Sequence, residues 1–167
     1  MWSQQPLAER LEQSSLGTAI AESRYAFPVI EGTHLLGLAI SVGLIILIDL
    51  RLVGLLLRDV PARTLVTQLR PYALWGYAIV VISGVLLLWS EATSVIASPA
   101  WTFKWIFMAL AGINALYFEF IVARRPLVDG DQGALPRDLK AAGLASISLW
   151  TLVIVCGRLI AYLPRWP

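Results

Sequence analysis

Four apolar runs, each bounded by charged or turn-forming residues, dominate the chain at roughly 29–57, 72–91, 101–123 and 141–163. A hydrocarbon core ~30 Å thick takes ~20 helical residues to cross, so each run is long enough to span. Strict in–out alternation is absent, which separates these runs from barrel strands. The pattern predicts an all-α membrane protein: a bundle of four transmembrane helices forming a single membrane domain over residues 1–167. Two amphipathic pieces flank the first span. In "SQQPLAERLEQSS", within about 3–16, Ser3 can cap a helix with Pro6 in its first turn, and Leu7 and Leu11 share a face. In "ARTLVTQLR", Leu65, Val66 and Leu69 lie opposite Arg63 and Gln68. Both pieces are predicted to be short interfacial helices, one at the N-terminus and one between spans one and two.

Composition strengthens this picture. The 167 residues are 58% hydrophobic and 14% charged, against about 45–50% and ~25% in soluble domains. A globule this small could not hide such an excess. A net charge of +2 gives no ground for a nucleic-acid partner, so the expected contact is the lipid bilayer. With Cys156 as the sole cysteine, no intrachain disulfide can form. The first ~25 residues lack the layout of a signal peptide, and the N-terminus is expected to be retained.

Charge also sets a direction. Arg51, Arg58, Arg63 and Arg70 fall in the first connection, and Arg124, Arg125, Arg137 and Lys140 in the third, while "EATSVIASPA" between spans two and three has no basic residue. Basic connections stay cytoplasmic, which predicts both termini on the outer side. Trp89, Trp101, Trp105 and Trp166 mark the outer ends of spans and Trp75 an inner end, as the amphipathic indole favours. Trp150 falls mid-span and requires packing. The segment "VDGDQGALPRD" reads as a cytoplasmic turn-rich loop.

The candidate chemistry lies inside the spans. At ~100° per residue, Glu31, His34, Ser41 and Asp49 fall within roughly an 80° sector of one helix, the stripe expected to face the bundle. Asp49 lies ~27 Å along the axis from Glu31 and, with Glu119, is assigned to a structural cluster with Arg51, Arg70, Arg124 and Arg125. At the other end Glu31, His34, Lys104 and Arg158, with Tyr25, Ser90 and Glu91 nearby, form a candidate binding cluster. Two readings are open: a salt-bridged lid with His34 hydrogen-bonded to a neighbour, or a cavity open to the outer side. His34, the only histidine, also shares a depth with Met108 and Cys156. Imidazole, thioether and thiol suit a soft metal such as copper, and His34 with Met108 could ligate haem b, its propionates meeting Lys104 and Arg158. Two histidine ligands for one haem would require a homodimer. Asn114, mid-span, is expected to hydrogen-bond a neighbouring helix. Close approach of helices is expected at Ala39 and Gly43, at Ala111 and Ala115, and around Gly143. Without CxxC, paired histidines, a phosphate-cradling loop or GxSxG, catalysis is not expected.

The runs "YAFPVIEGTHLLGLAISVGLIILIDLRLVGLL", "LRPYALWGYAIVVISGVLLL" and "SPAWTFKWIFMALAGINALYF" carry a resemblance. With them the chain resembles a bacterial four-helix inner-membrane family of unknown function, over nearly its whole length. The resemblance implies a multi-pass protein of the bacterial inner membrane, where the outer side that the charges assign to both termini is periplasmic. A looser similarity of pattern links the third span to copper-resistance membrane proteins and small b-type cytochromes. The expected role is a non-catalytic subunit or binding module that holds a small ligand or partner, within a homo-oligomer or larger membrane complex. Haem b or quinone binding at His34 is the alternative, and copper handling through His34, Met108 and Cys156 a further one.

Overall fold

A computed structural model describes residues 5–122 and 135–162. The expectations on Ser3, Arg124, Arg125, Trp166 and most of the turn-rich loop lie outside these residues. Helices α1 (Gln5–Glu12) and α2 (Ser15–Glu22) precede α3 (Ala26–Val53) and α4 (Ala62–Ser90); α5 (Ala92–Ile96), α6 (Pro99–Tyr117) and α7 (Arg137–Leu159) follow. A π-helical turn, Phe118–Val122, extends α6. Four helices are long and apolar enough to cross a membrane, and no strand occurs among the described residues.

The apolar pattern ran past the true end of α3. Gly54 takes a left-handed conformation at φ 87°, and its N–H reaches the carbonyls of Leu50 and Arg51. Glycine adopts that geometry without a Cβ clash, so the helix stops there although Leu55, Leu56 and Leu57 continue the greasy run. Arg51, itself buried, donates from Nε to the Val60 carbonyl at 2.6 Å and pins the following loop.

The amphipathic piece after that loop is not a separate helix. Residues 62–70 are the first turns of α4, which runs on through Pro71. Proline removes one backbone hydrogen bond, a loss that membrane helices tolerate when neighbours support them. The predicted face is nevertheless the packed one: Leu65 is buried and Arg63 and Gln68 are exposed. Ala62 joins Leu52 and Leu139 in a small apolar cluster with Ile48, Phe118 and Leu135 around it.

Small residues decide how the long helices meet. α3 packs along α4 and along α7, and α7 packs along α6. At the α3–α4 crossing, a Cβ added at Gly76 would lie 2.9 Å from the Ser41 backbone nitrogen, and one at Gly37 would lie 3.0 Å from Ile79. At the α3–α7 crossing, a Cβ on Gly143 would lie 3.1 Å from the Asp49 carbonyl oxygen. The expected Ala39 and Gly43 pair is not a contact: Ala39 is exposed, and nothing lies within 4 Å of a Cβ built at Gly43. Gly37 and Ser41 have the same spacing but sit on the other side of the helix, in line with the polar stripe. Large apolar side chains such as Leu36, Ile82 and Ile113 point outward, more than 60% exposed, an inversion that fits acyl chains and not water.

α1, α2 and α5 close one end of the bundle, called the capped end below. Trp89 on α4 donates from Nε1 to the Ser14 hydroxyl at 2.9 Å. The Glu12 carboxylate accepts from both the backbone N–H and the hydroxyl of Thr93 on α5. Ala8 of α1 and Ile20 of α2 are the buried apolar residues of this strap.

Candidate ligand site near the capped end

His34 lies two turns into α3, and its imidazole rests against α4. A Cβ on Gly84 would stand 3.1 Å from the ring's Cε1, so the glycine makes room for the ring. Nδ1 lies 3.0 Å from the Ser83 hydroxyl oxygen. That hydroxyl gives its hydrogen to the Ile79 carbonyl at 2.6 Å, so it can only accept from the ring. The Ser83 hydroxyl therefore places the ring N–H at Nδ1, and Nε2, without a partner among the described residues, keeps its lone pair. A histidine tied at one nitrogen and free at the other is the arrangement that orients a ligating or proton-accepting imidazole.

Lys104 of α6 lies close enough to His34 for their charges to interact, and it neighbours Cys156. Its stem passes Gly157 of α7, where an added Cβ would lie 3.6 Å from Nζ. Among the described residues no carboxylate pairs with Lys104; their one ion pair is Arg70–Glu119 at 3.0 Å. Imidazole, ammonium and a buried thiol thus lie on three helices at similar depth. Met108, one turn inward from Lys104, is partly buried on α6. No group of three His, Cys, Asp or Glu side chains that could hold a metal ion occurs among the described residues.

The other members of the sequence-derived cluster sit elsewhere. Arg158 is exposed and turned to the residues just past the end of α7, donating to the Tyr162 hydroxyl at 2.9 Å with its guanidinium 5.2 Å from that ring's centroid. Tyr25 is also exposed, beside Arg24. Glu31 is exposed and acts on Glu91, which also feels Glu12. Burial first, then these two carboxylates, push the Glu91 carboxyl above its ordinary range. Ser83, Gly84 and Gly157 complete the site yet drew no notice in the sequence, where serines and glycines are frequent in every span. His34 stands eight residues after the start of α3 and Ser83 seven before the end of α4, and that match in depth is the signal that could have found Ser83.

At the far end of the polar stripe Glu119 meets Arg70 as expected, while Asp49 stands apart from the described arginines. Asp49 is 6% exposed in the α3–α7 interface, near Ser146 of α7, and its Oδ2 has no partner among the described residues. Arg51 turns to the Val60 carbonyl instead, and Glu119 takes Arg70. Asn114 bridges α6 to α7 by donating to the Ala142 carbonyl at 3.1 Å. Trp150 finds its packing edge-on against Tyr77, with ring centroids 6.2 Å apart.

A model of a family of unknown function, DUF6644, matches residues 14–163. The chain belongs to that family. No curated protein and no solved structure matches it. The DUF6644 match takes in all four long helices and every residue of the His34 site, and it begins at Ser14, the partner of Trp89.

Proposed function

We propose that this DUF6644 protein is a non-catalytic binding module of the bacterial inner membrane that holds a small ligand at the His34–Lys104 site. The observation that carries the reading is the pair of unused polar groups at membrane depth. Nε2 is left free by the Ser83 bond, and the Lys104 ammonium lacks a carboxylate among the described residues. Ionisable side chains in a span are costly, and those retained usually face a pathway or a ligand. The basic residues of the first and third connections support a reading in which the capped end and both termini are periplasmic. Wild-type protein purified in mild detergent is expected to retain a small molecule that mass spectrometry of an organic extract identifies, and His34→Ala to lose it. Equal recovery from both proteins would remove the site.

The free Nε2 also favours a second reading, in which the imidazole is an axial ligand to haem b or accepts a hydrogen bond from a quinol. With one histidine per chain, bis-histidine haem ligation requires a homodimer. An absorption spectrum of the same preparation separates the readings: a Soret band that disappears in His34→Ala assigns the site to haem. Copper held by His34, Met108 and Cys156 predicts metal co-purifying at near one equivalent and lost with that same substitution.

A further inference from the structure

We propose that the ligand of the His34–Lys104 site is a single-chain amphiphile with a carboxyl head, entering sideways from the bilayer between α4 and α6. The inference rests on the binding role proposed above and names the class of ligand. Two features of the site fix the head group. Nε2 of His34 can only accept a hydrogen and the Lys104 ammonium can only donate. A carboxyl group answers both, its O–H meeting Nε2 and its other oxygen meeting Lys104. The match survives movement of the shared proton, because imidazolium and carboxylate pair equally well beside the ammonium. A quinone offers acceptors alone and leaves Nε2 facing an oxygen lone pair. A phosphate monoester brings about −1.5 to −2 charges, more than one lysine balances where unpaired charge is costly.

The route follows from the packing. α3 contacts α4 and α7, and α6 contacts α7, whereas among the described residues the α6 backbone approaches neither α3 nor α4. α6 is the least buried of the four long helices. The Lys104 ammonium lies beside Gly157 of α7, and no backbone of α3 or α4 closes on α6. The strap of α1 and α2 covers the end of the α3–α4 pair, so the approach is lateral, along α6, where Phe103 and Ile106 are half exposed. A ligand taking that approach starts among acyl chains and keeps its own chain there.

The test uses the full chain in phosphatidylcholine nanodiscs, with dibromostearic acid as the probe and tryptophan quenching as the readout. Trp101 and Trp105, which stack edge to face with centroids 5.5 Å apart, flank Lys104 on α6. Wild type is expected to show saturable quenching, with Lys104→Gln about tenfold weaker or worse and Lys104→Arg close to wild type. The matched dibrominated alcohol should show only unsaturable partitioning, and free acetate should not compete. Saturable binding of the alcohol at equal affinity would overturn the carboxyl assignment and leave a site at His34 standing. Competition by acetate would overturn the lipid source. Acid binding indifferent to Lys104→Gln and His34→Ala, or no saturable binding in a protein whose Lys104→Arg form is folded, would overturn the proposal. A co-purifying ligand lost in His34→Ala would even then leave the binding reading in place.

Discussion

A single methyl group discriminates the contacts that hold this bundle from those that merely resemble them. At Gly76 a Cβ would meet the Ser41 backbone at 2.9 Å, and backbone cannot swing aside as a flexible side chain can. Gly76→Ala is expected to force α3 and α4 apart, at a cost of about 1–3 kcal/mol. At Gly43, where nothing lies within 4 Å of the added carbon, alanine should be neutral or stabilise the helix by roughly 0.5–1 kcal/mol. Thermal unfolding of both variants in one detergent tests the contrast; a Gly76→Ala protein as stable as Gly43→Ala would mean the α3–α4 crossing is misplaced. A weaker effect belongs to Ser83→Ala. It removes the acceptor that orients His34, worth about 1 kcal/mol, and should reduce ligand retention more than stability. These distinctions were only partly legible in the sequence. The polar stripe of α3 was readable, since periodicity places His34, Ser41 and Asp49 on one side. The partners were not: Ser83 resembles any helix serine, and Arg158 settled on Tyr162 in the turn just after its helix, a local contact that outcompetes a distant cluster.

Among the elements, the strap is the part whose behaviour depends on conditions. It is fastened by Glu12 on Thr93 and by Trp89 on Ser14, and Glu91 stands at its edge with Glu12 and Glu31 close by. Burial and those neighbours raise the Glu91 carboxyl above its ordinary range. The docked strap therefore binds that proton more tightly than the undocked one does. Docking stability from this group is complete below the ordinary glutamate range and is lost as pH climbs through the raised value. Amide hydrogen exchange over residues 5–22, corrected for intrinsic rates, should show protection falling across that window in wild type. Glu91→Gln should flatten the slope and hold the protected level at the upper end. A slope unchanged by Glu91→Gln would assign the pH dependence to another group. Element boundaries show why the sequence misled at two places. An apolar run has no mark at its end when a left-handed glycine stops the helix inside it, as Gly54 does. An amphipathic segment next to a span need not be separate, and Pro71 did not divide α4.

For the whole molecule, the long apolar segments made the architecture the most legible feature, and the same segments leave direction to a few charges. The capped end carries the strap, α5 and the His34 site, while the opposite end carries Arg51, Arg58 and the Arg70–Glu119 pair. That pair is half exposed and worth about 0–1 kcal/mol at most, so it anchors little. Its value is in the count of basic residues on that side, which the insertion machinery reads. The chain is convenient for testing this, because Cys156 is its only cysteine and is buried. In a Cys156→Ser background, Ser94→Cys on α5 should react with a membrane-impermeant maleimide added outside intact spheroplasts. Asp59→Cys, in the loop after α3, should react only once the membrane is opened. Replacing Arg58, Arg63 and Arg70 together by glutamine should blur the difference without reducing the number of spans, because hydrophobic length inserts each helix and charge merely orients it. Labelling of Asp59→Cys from outside in the otherwise unaltered chain would reverse the assignment, place the His34 site on the cytoplasmic side, and redirect the search for its ligand to that leaflet.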